Sequence, residues 1–256
     1  MSTFASFFRK ELTARKRTDK ITALTIIFLF LGVLAPATAK FMPKLLEKFG
    51  DSMTDSGMTI TVSEPTALSS FSQFFGNFSI GLIVMIVMES GVFAGEYSSG
   101  TLIPVLTKGL KRAKVYFAKL LTVILLWTVY YWISFSVMYG YTAYYWDTGV
   151  VNNGFIAGFS AYAYGLYLLI LTAAFSAMAS TGIQTLIAVG AVYLGDSLLA
   201  MVPKLSDWLP CRLIKVEQII NGKEQPDVLL PAFGVTAALS IAAVIISKHI
   251  FDKKPI

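Results

Sequence analysis

Cysteine and histidine are nearly absent from this chain: Cys211 and His249 are the only ones. A single thiol excludes an intrachain disulfide and points to no redox compartment. One imidazole and one thiol are too few for a nitrogen- or sulfur-ligated metal centre, so no metal site is expected. Charge is also scarce, at 14% of residues against roughly 25% in an ordinary soluble domain. Internal repeats and low-complexity linkers are lacking. A phosphate-cradling Walker A loop needs Gly-x4-Gly-Lys-Ser/Thr. Here the one Gly-Lys pair, Gly222-Lys223, runs into Glu224 and has no upstream glycine. The chain is therefore expected to hydrolyse no nucleotide, to be no enzyme, and to bind no cofactor of its own.

What the sequence has in abundance is long apolar blocks. A helix needs about 20 apolar residues to cross a hydrocarbon layer of roughly 30 Å. Six blocks qualify: Ile21 to Ala39, Phe71 to Phe93, Ala118 to Tyr145, Phe155 to Ser180, Gly182 to Val202, and Leu229 to Ser247. The expected fold class is all-α, a polytopic membrane protein with six transmembrane helices. Residues 1–20 form an interfacial amphipathic helix, and residues 21–256 the six-helix domain. In the former, Phe4, Phe7, Phe8 and Leu12 share a helical face, with Arg9, Lys10, Arg15 and Lys16 largely off it. The basic start followed by Ala35, Ala37 and Ala39 imitates a signal peptide. Glu11, Asp19 and the leader's length argue against cleavage.

The net charge of +6 does not point to nucleic acid, because the basic residues flank the apolar blocks and suit anionic headgroups. With the N-terminus inside, the inner segments hold Arg9, Lys10, Arg15, Lys16, Arg17, Lys20, Lys108, Lys111, Arg112, Lys114, Lys119, Lys248, Lys253 and Lys254. The outer ones hold only Lys40, Lys44, Lys48, Lys204, Arg212, Lys215 and Lys223. That asymmetry puts both termini in the cytoplasm. Tyr141, Tyr144, Tyr145 and Trp146 then fall at the outer interface as an aromatic belt. Gly91-x3-Gly95 and Gly154-x3-Gly158 read as close-packing pairs.

Two carboxylates fall inside spans and are candidate substrate or ion contacts. Asp196 lies deeper than Glu89, which sits toward the cytoplasmic end of its helix. Glu89 lies near enough to the interface to reach it, whereas charge at the depth of Asp196 costs about 2.5–3.5 kcal/mol on insertion scales, so Asp196 should face the bundle, a partner or water; its structural alternative is a hydrogen bond to a neighbouring Tyr or Ser, or protonation. The external stretch of about 203–230 carries Pro203, Pro210 and Pro226, and is read either as a re-entrant segment or as an ordinary structured loop. An intramembrane enzyme would need converging acids, bases or ligands. Glu89 and Asp196 stand on different helices without a histidine. A membrane scaffold is the other alternative class.

The loop of about 94–117 is the most informative stretch. Glu96 ends the apolar run, Gly100 breaks the helix, and Thr101 can cap a new short one. Leu102, Ile103, Val105 and Leu106 would then expose apolar surface to a partner. Glu96 either caps that short helix or pairs with a basic residue of the same loop such as Arg112. Glu96-x3-Gly100-Thr101-Leu102, the following Thr-Lys-Gly-Leu-x-Arg stretch, and Lys119 before the next span resemble the ABC-2 type transporter permeases. The six-span layout and basic amphipathic start agree.

The resemblance implies a coupling helix around Glu96 to Leu106 that docks into a separate cytoplasmic ABC ATPase. It implies that ATP and Mg sit on that ATPase. It further implies a second permease, identical or homologous, across the translocation path, and a bacterial plasma membrane. The chain is most similar to small permeases of the phenol-soluble-modulin, bacteriocin-immunity and sodium-efflux groups. An amphipathic or cytolytic peptide or a hydrophobic toxin is the expected substrate, and sodium the alternative.

Overall fold

Each apolar block folds into one helix, because backbone groups in hydrocarbon have no water to pair with and must be satisfied within the segment. The computed structural model describes residues 3–54, 64–102, 104, 107 and 109–254. Helix α1 (Thr3–Arg17) ends at a corner where Asp19 takes a left-handed φ of 54°. A short polar side chain tolerates that conformation. The chain then enters α2 (Lys20–Thr54), which carries Pro36 and Pro43. Helix α3 (Ala67–Glu89) starts in a capping box between Thr66 and Ser69. After a corner at 90–93 comes the short α4 (Ala94–Ser99), which Gly100 stops at φ 66°. Helix α5 (Arg112–Tyr145) leads through a 3-10 turn to α6 (Gly154–Met178). Helix α7 (Gly182–Leu199) starts where the Thr181 hydroxyl accepts from Gln184 N.

A string of single turns follows: α8 (Pro203–Ser206), a 3-10 turn Pro210–Ile214, α9 (Glu217–Ile220) and a second 3-10 turn Pro226–Leu229. Helix α10 (Leu230–Lys253) closes the chain. Among the described residues six helical stretches are long and apolar enough to span a membrane, on α2, α3 with α4, α5, α6, α7 and α10. The protein is a multi-pass membrane protein of the all-α class. Its third span begins at Arg112, earlier than Ala118, so Lys119 lies about two turns into the helix rather than at its start.

Helix α6 is the hub and packs against α3, α5, α7 and α10. Its glycines receive the aromatics of α5. A Cβ at Gly165 would stand 2.1 Å from Trp127 Cζ2, and one at Gly158 2.6 Å from Phe135 Cε2. Trp127 Nε1 donates to Tyr162 O at 3.0 Å, and Tyr131 Oη to Gly158 O at 2.6 Å. Phe74 and Phe78 of α3 meet Tyr131 edge-on, and Phe78 meets Trp127 likewise. Aromatic edges and small residues thus do the packing that hydrophobicity cannot supply in lipid. Gly154 and Gly158 fill their expected role, whereas a Cβ at Gly95 would meet nothing. Gly91 and Gly95 lie at the α3–α4 corner and not at a helix crossing.

Two spans are barely covered. The most apolar windows of α7 and α10 are 17% buried, against 50–56% for those of α3, α5 and α6. Ile183, Ile187, Leu194 and Leu198 of α7 point outward. The string of turns after α7 packs onto the ends of α6 and α10, burying Leu213, Ile219 and Ile220.

Candidate functional site

Helix α1 does not simply lie on the membrane by an apolar face. Its buried stripe is Phe7, Glu11 and Arg15, spaced by four. This corrects the expectation that Arg15 lies off the buried face. The reason is that both charges have partners inside. Arg15 Nη1 pairs with Oε1 of Glu89, at the end of α3. Lys119, in the second turn of α5, is 2% exposed, and its Nζ stands 3.0 Å from Glu11 Oε2 and 2.8 Å from Glu96 Oε1. Three carboxylates and two cations from α1, α3, α4 and α5 therefore form one buried ionic corner. The attraction between such charges is strong at low dielectric, and removing one partner leaves an uncompensated buried charge. Glu89 is thus an anchor of this corner; its Oε2 has no partner among the described residues.

The loop itself is tied down around the corner. Phe93 N and Ala94 N both donate to Ser176 Oγ near the end of α6, at 3.0 and 3.1 Å. Tyr97 Oη donates to Ala177 O. Lys254 Nζ donates to Ala177, Met178 and Ala179 O, capping α6, and sits 3.8 Å from the Tyr97 ring centre. Burial lowers the pKa of this ammonium. Arg112 Nη1 donates to Phe251, Asp252 and Lys254 O, capping α10. A cation at a helix C-terminus satisfies free carbonyls and complements the helix dipole.

Several expected roles change here. Glu96 pairs with Lys119 and not with Arg112, because the guanidinium is used on the α10 carbonyls. Leu102 was expected to expose apolar surface, but it is fully buried and joins the core cluster. The left-handed turn at Gly100 folds the chain back so that Leu102 points inward. Thr101 is exposed, and its hydroxyl lies 3.1 Å from Ser99 Oγ. Leu106, Ile103 and Val105 lie outside the described residues, as does most of the short helix that Thr101 was expected to cap.

Sequence reasoning missed Glu11, Arg15 and Lys119 as a unit. The available signals were the Phe7–Glu11–Arg15 spacing and a lysine just inside an apolar helix.

At the opposite end, Asp196 is 7% exposed in the last turns of α7, where its carbonyl accepts from Cys211 Sγ at 3.6 Å. A polar cavity of about 610 Å³ lies nearby, lined by Ser72, Phe75 and Gly76 of α3 and by Asp207, Arg212 and Glu224. Arg212 donates to Glu224 at 2.5 Å and faces Asp207 at 3.6 Å. Further along the same α3 face, Ser79, Leu82, Ile83 and Ile86 border an apolar cleft of about 210 Å³ against α7. Among the described residues no group of three His, Cys, Asp or Glu side chains is placed to hold a metal.

No curated protein matches the chain. The family model for ABC-2 family transporter proteins matches residues 5–202, taking in α1, the ionic corner and five of the six spans. The chain therefore belongs to the ABC-2 transporter family, a membrane component of ABC transport that pairs with an ABC ATPase.

Proposed function

We propose that this permease works in an exporter and couples to its separate ATPase through the corner held by Lys119. The observation that carries this reading is the joint ion pairing of Lys119 to Glu11 of α1 and Glu96 of α4. A push on the loop of about 94–117 is then carried as one body into α1, α3 and α5, because buried ion pairs resist separate movement. The basic asymmetry supports a cytoplasmic position for this end, where an ATPase would meet it, and an external one for the cavity of α8 and α9. ATP and Mg would be held by the partner. Glu96 and Arg112 set the shape of the docking corner from within, while Gly100 and Thr101 present its outer turn. The exposed apolar faces of α7 and α10 leave room for a second permease copy or a homologue.

An amphipathic or cytolytic peptide, or a hydrophobic toxin, suits the path best. One face of α3 borders an apolar cleft in the membrane layer and a charged cavity beyond it. An amphipathic chain matches both.

The test is affinity isolation of the chain from its own membranes. An ATP-hydrolysing subunit should copurify, and Thr101→Trp should release it without harming insertion. If the isolated complex has no ATPase, or if Thr101→Trp binds it as the parent does, the reading is wrong. For the substrate, Ile83→Trp should fill the cleft and slow uptake of an amphipathic peptide into inverted vesicles.

A further inference from the structure

Asp196 and Tyr164 present two unsatisfied polar atoms side by side. Asp196 Oδ2 and Tyr164 Oη are both buried and neither completes a hydrogen bond of ordinary geometry, although the hydroxyl approaches the carboxyl group. Tyr164 itself is fully buried in the middle of α6. A buried carboxylate normally recruits a cation, yet no ion pair to Asp196 occurs among the described residues. The cation that acts on it, Lys215, is exposed on the string of turns. The other groups facing the site are Tyr167 of α6, Tyr193 of α7 and the Cys211 thiol, all neutral in their protonated forms.

The Cys211 backbone N–H and thiol reach the Asp196 carboxyl group, but the helix end works against a negative charge there. Asp196 sits in the last turn of α7, where unpaired carbonyls concentrate partial negative charge. Its own carbonyl already accepts from Ala200 N and from Cys211 Sγ. A metal cation would need more oxygen ligands than one carboxylate and a phenol provide. The ligand that fits two adjacent orphan oxygens is the smallest.

We infer that Asp196 and Tyr164 form a binding site for one proton, filled while the 203–229 segment is seated and emptied when it lifts. With the proton bound, Asp196 Oδ2–H donates to Tyr164 Oη, and no net charge remains under the segment. When the segment lifts, water reaches Asp196, the proton passes from Oδ2 to water, and the carboxylate is left hydrated. The seated form therefore binds the proton more tightly than the lifted form. Acid on this side favours seating, and alkali favours lifting. The assignment of acid and alkali to the outside rests on the orientation proposed above; the proton site itself does not.

The native Cys211 reports on the segment, since it is the chain's single cysteine and is buried on the segment's inner side against the end of α7. Burial holds its thiol up at about 11, so seated protein should react slowly. The protein is reconstituted at full length in lipid vesicles. Infrared difference spectra between the parent and Asp196→Asn should contain the carbonyl stretch of a protonated carboxyl at neutral pH. Tyr164→Phe should shift that band, because the acceptor hydroxyl is lost. Labelling of Cys211 with a membrane-impermeant maleimide is then followed from acid to alkaline pH. The Asp196 carboxyl helps to raise the Cys211 thiol, so each variant's labelling rate is divided by its own thiolate fraction, read from ultraviolet absorbance. The parent should exceed Asp196→Asn by about tenfold at alkaline pH, the ratio that one unit of differential proton affinity produces. No protonated-carboxyl band in the parent overturns the proton site, even if Asp196→Asn fails to fold. A band unmoved by Tyr164→Phe removes Tyr164 from it. Identical labelling profiles overturn the link to the segment.

Discussion

Replacing Lys119 with Met tests whether the ionic corner acts as a unit. Met keeps the length and the apolar stem of the side chain and removes the charge. Glu11 and Glu96 then face each other without the cation that stands 3.0 and 2.8 Å from them. Breaking a buried pair from one side costs about 3–5 kcal/mol. The Glu96 side chain is 26% exposed and can turn toward water, so the lower end applies. About 3 kcal/mol is roughly a hundredfold in the equilibrium between docked and undocked corner. The spans themselves should insert normally, since membrane helices satisfy their backbones internally. Amide hydrogen exchange should therefore rise in α1 and α4 and stay unchanged in α6. The bound ATPase should keep its basal rate and lose stimulation by substrate. Lys119→Arg should retain most of both. A Glu96→Gln, Lys119→Met double-mutant cycle should give a coupling energy of about 1–3 kcal/mol. A coupling below about 0.5 kcal/mol, with exchange in α4 unchanged, would refute the rigid-corner account.

Three other outcomes follow from the packing and the charges. Gly165→Ala should lower stability by about 1–3 kcal/mol in a detergent unfolding assay, because the new methyl meets the Trp127 indole. Trp127→Leu should shrink that penalty, and an unchanged penalty would show that the contact is not the cause. Arg112→Ala should increase exchange across 247–254 by uncapping α10, while Arg112→Lys restores it in part. Reporter fusions at Gly149 and Asn221 should read external, and one after Ser247 cytoplasmic; a cytoplasmic signal at Gly149 would overturn the topology.

The six spans were legible because a run of apolar residues is a local property of sequence, and a bilayer sets its minimum length. The corner was not, because its geometry depends on where helix ends meet. An apolar wheel on α1 placed Arg15 outward, since nothing local reveals that Glu89 waits at the end of α3. Arg112 reads as a partner for Glu96 because it is a cation in the same loop, but the loop folds back at Gly100 and the α10 carbonyls claim Arg112. Leu102 reads as exposed because loops usually run on surfaces; the same turn buries it. The depth of Asp196 was readable from span length. Its neighbours Tyr164 and Cys211 come from other elements and carried no signal of their own.

The central claim is that the corner around Glu96 and Gly100 is where an ATPase meets this chain. A photo-crosslinking residue placed at the exposed Thr101 tests it most directly, with a second at Tyr144 on the far end of α5. In native membranes, Thr101 should crosslink to a nucleotide-binding subunit and Tyr144 should not. Crosslinks from Tyr144 to that subunit, or none from Thr101, would contradict the account.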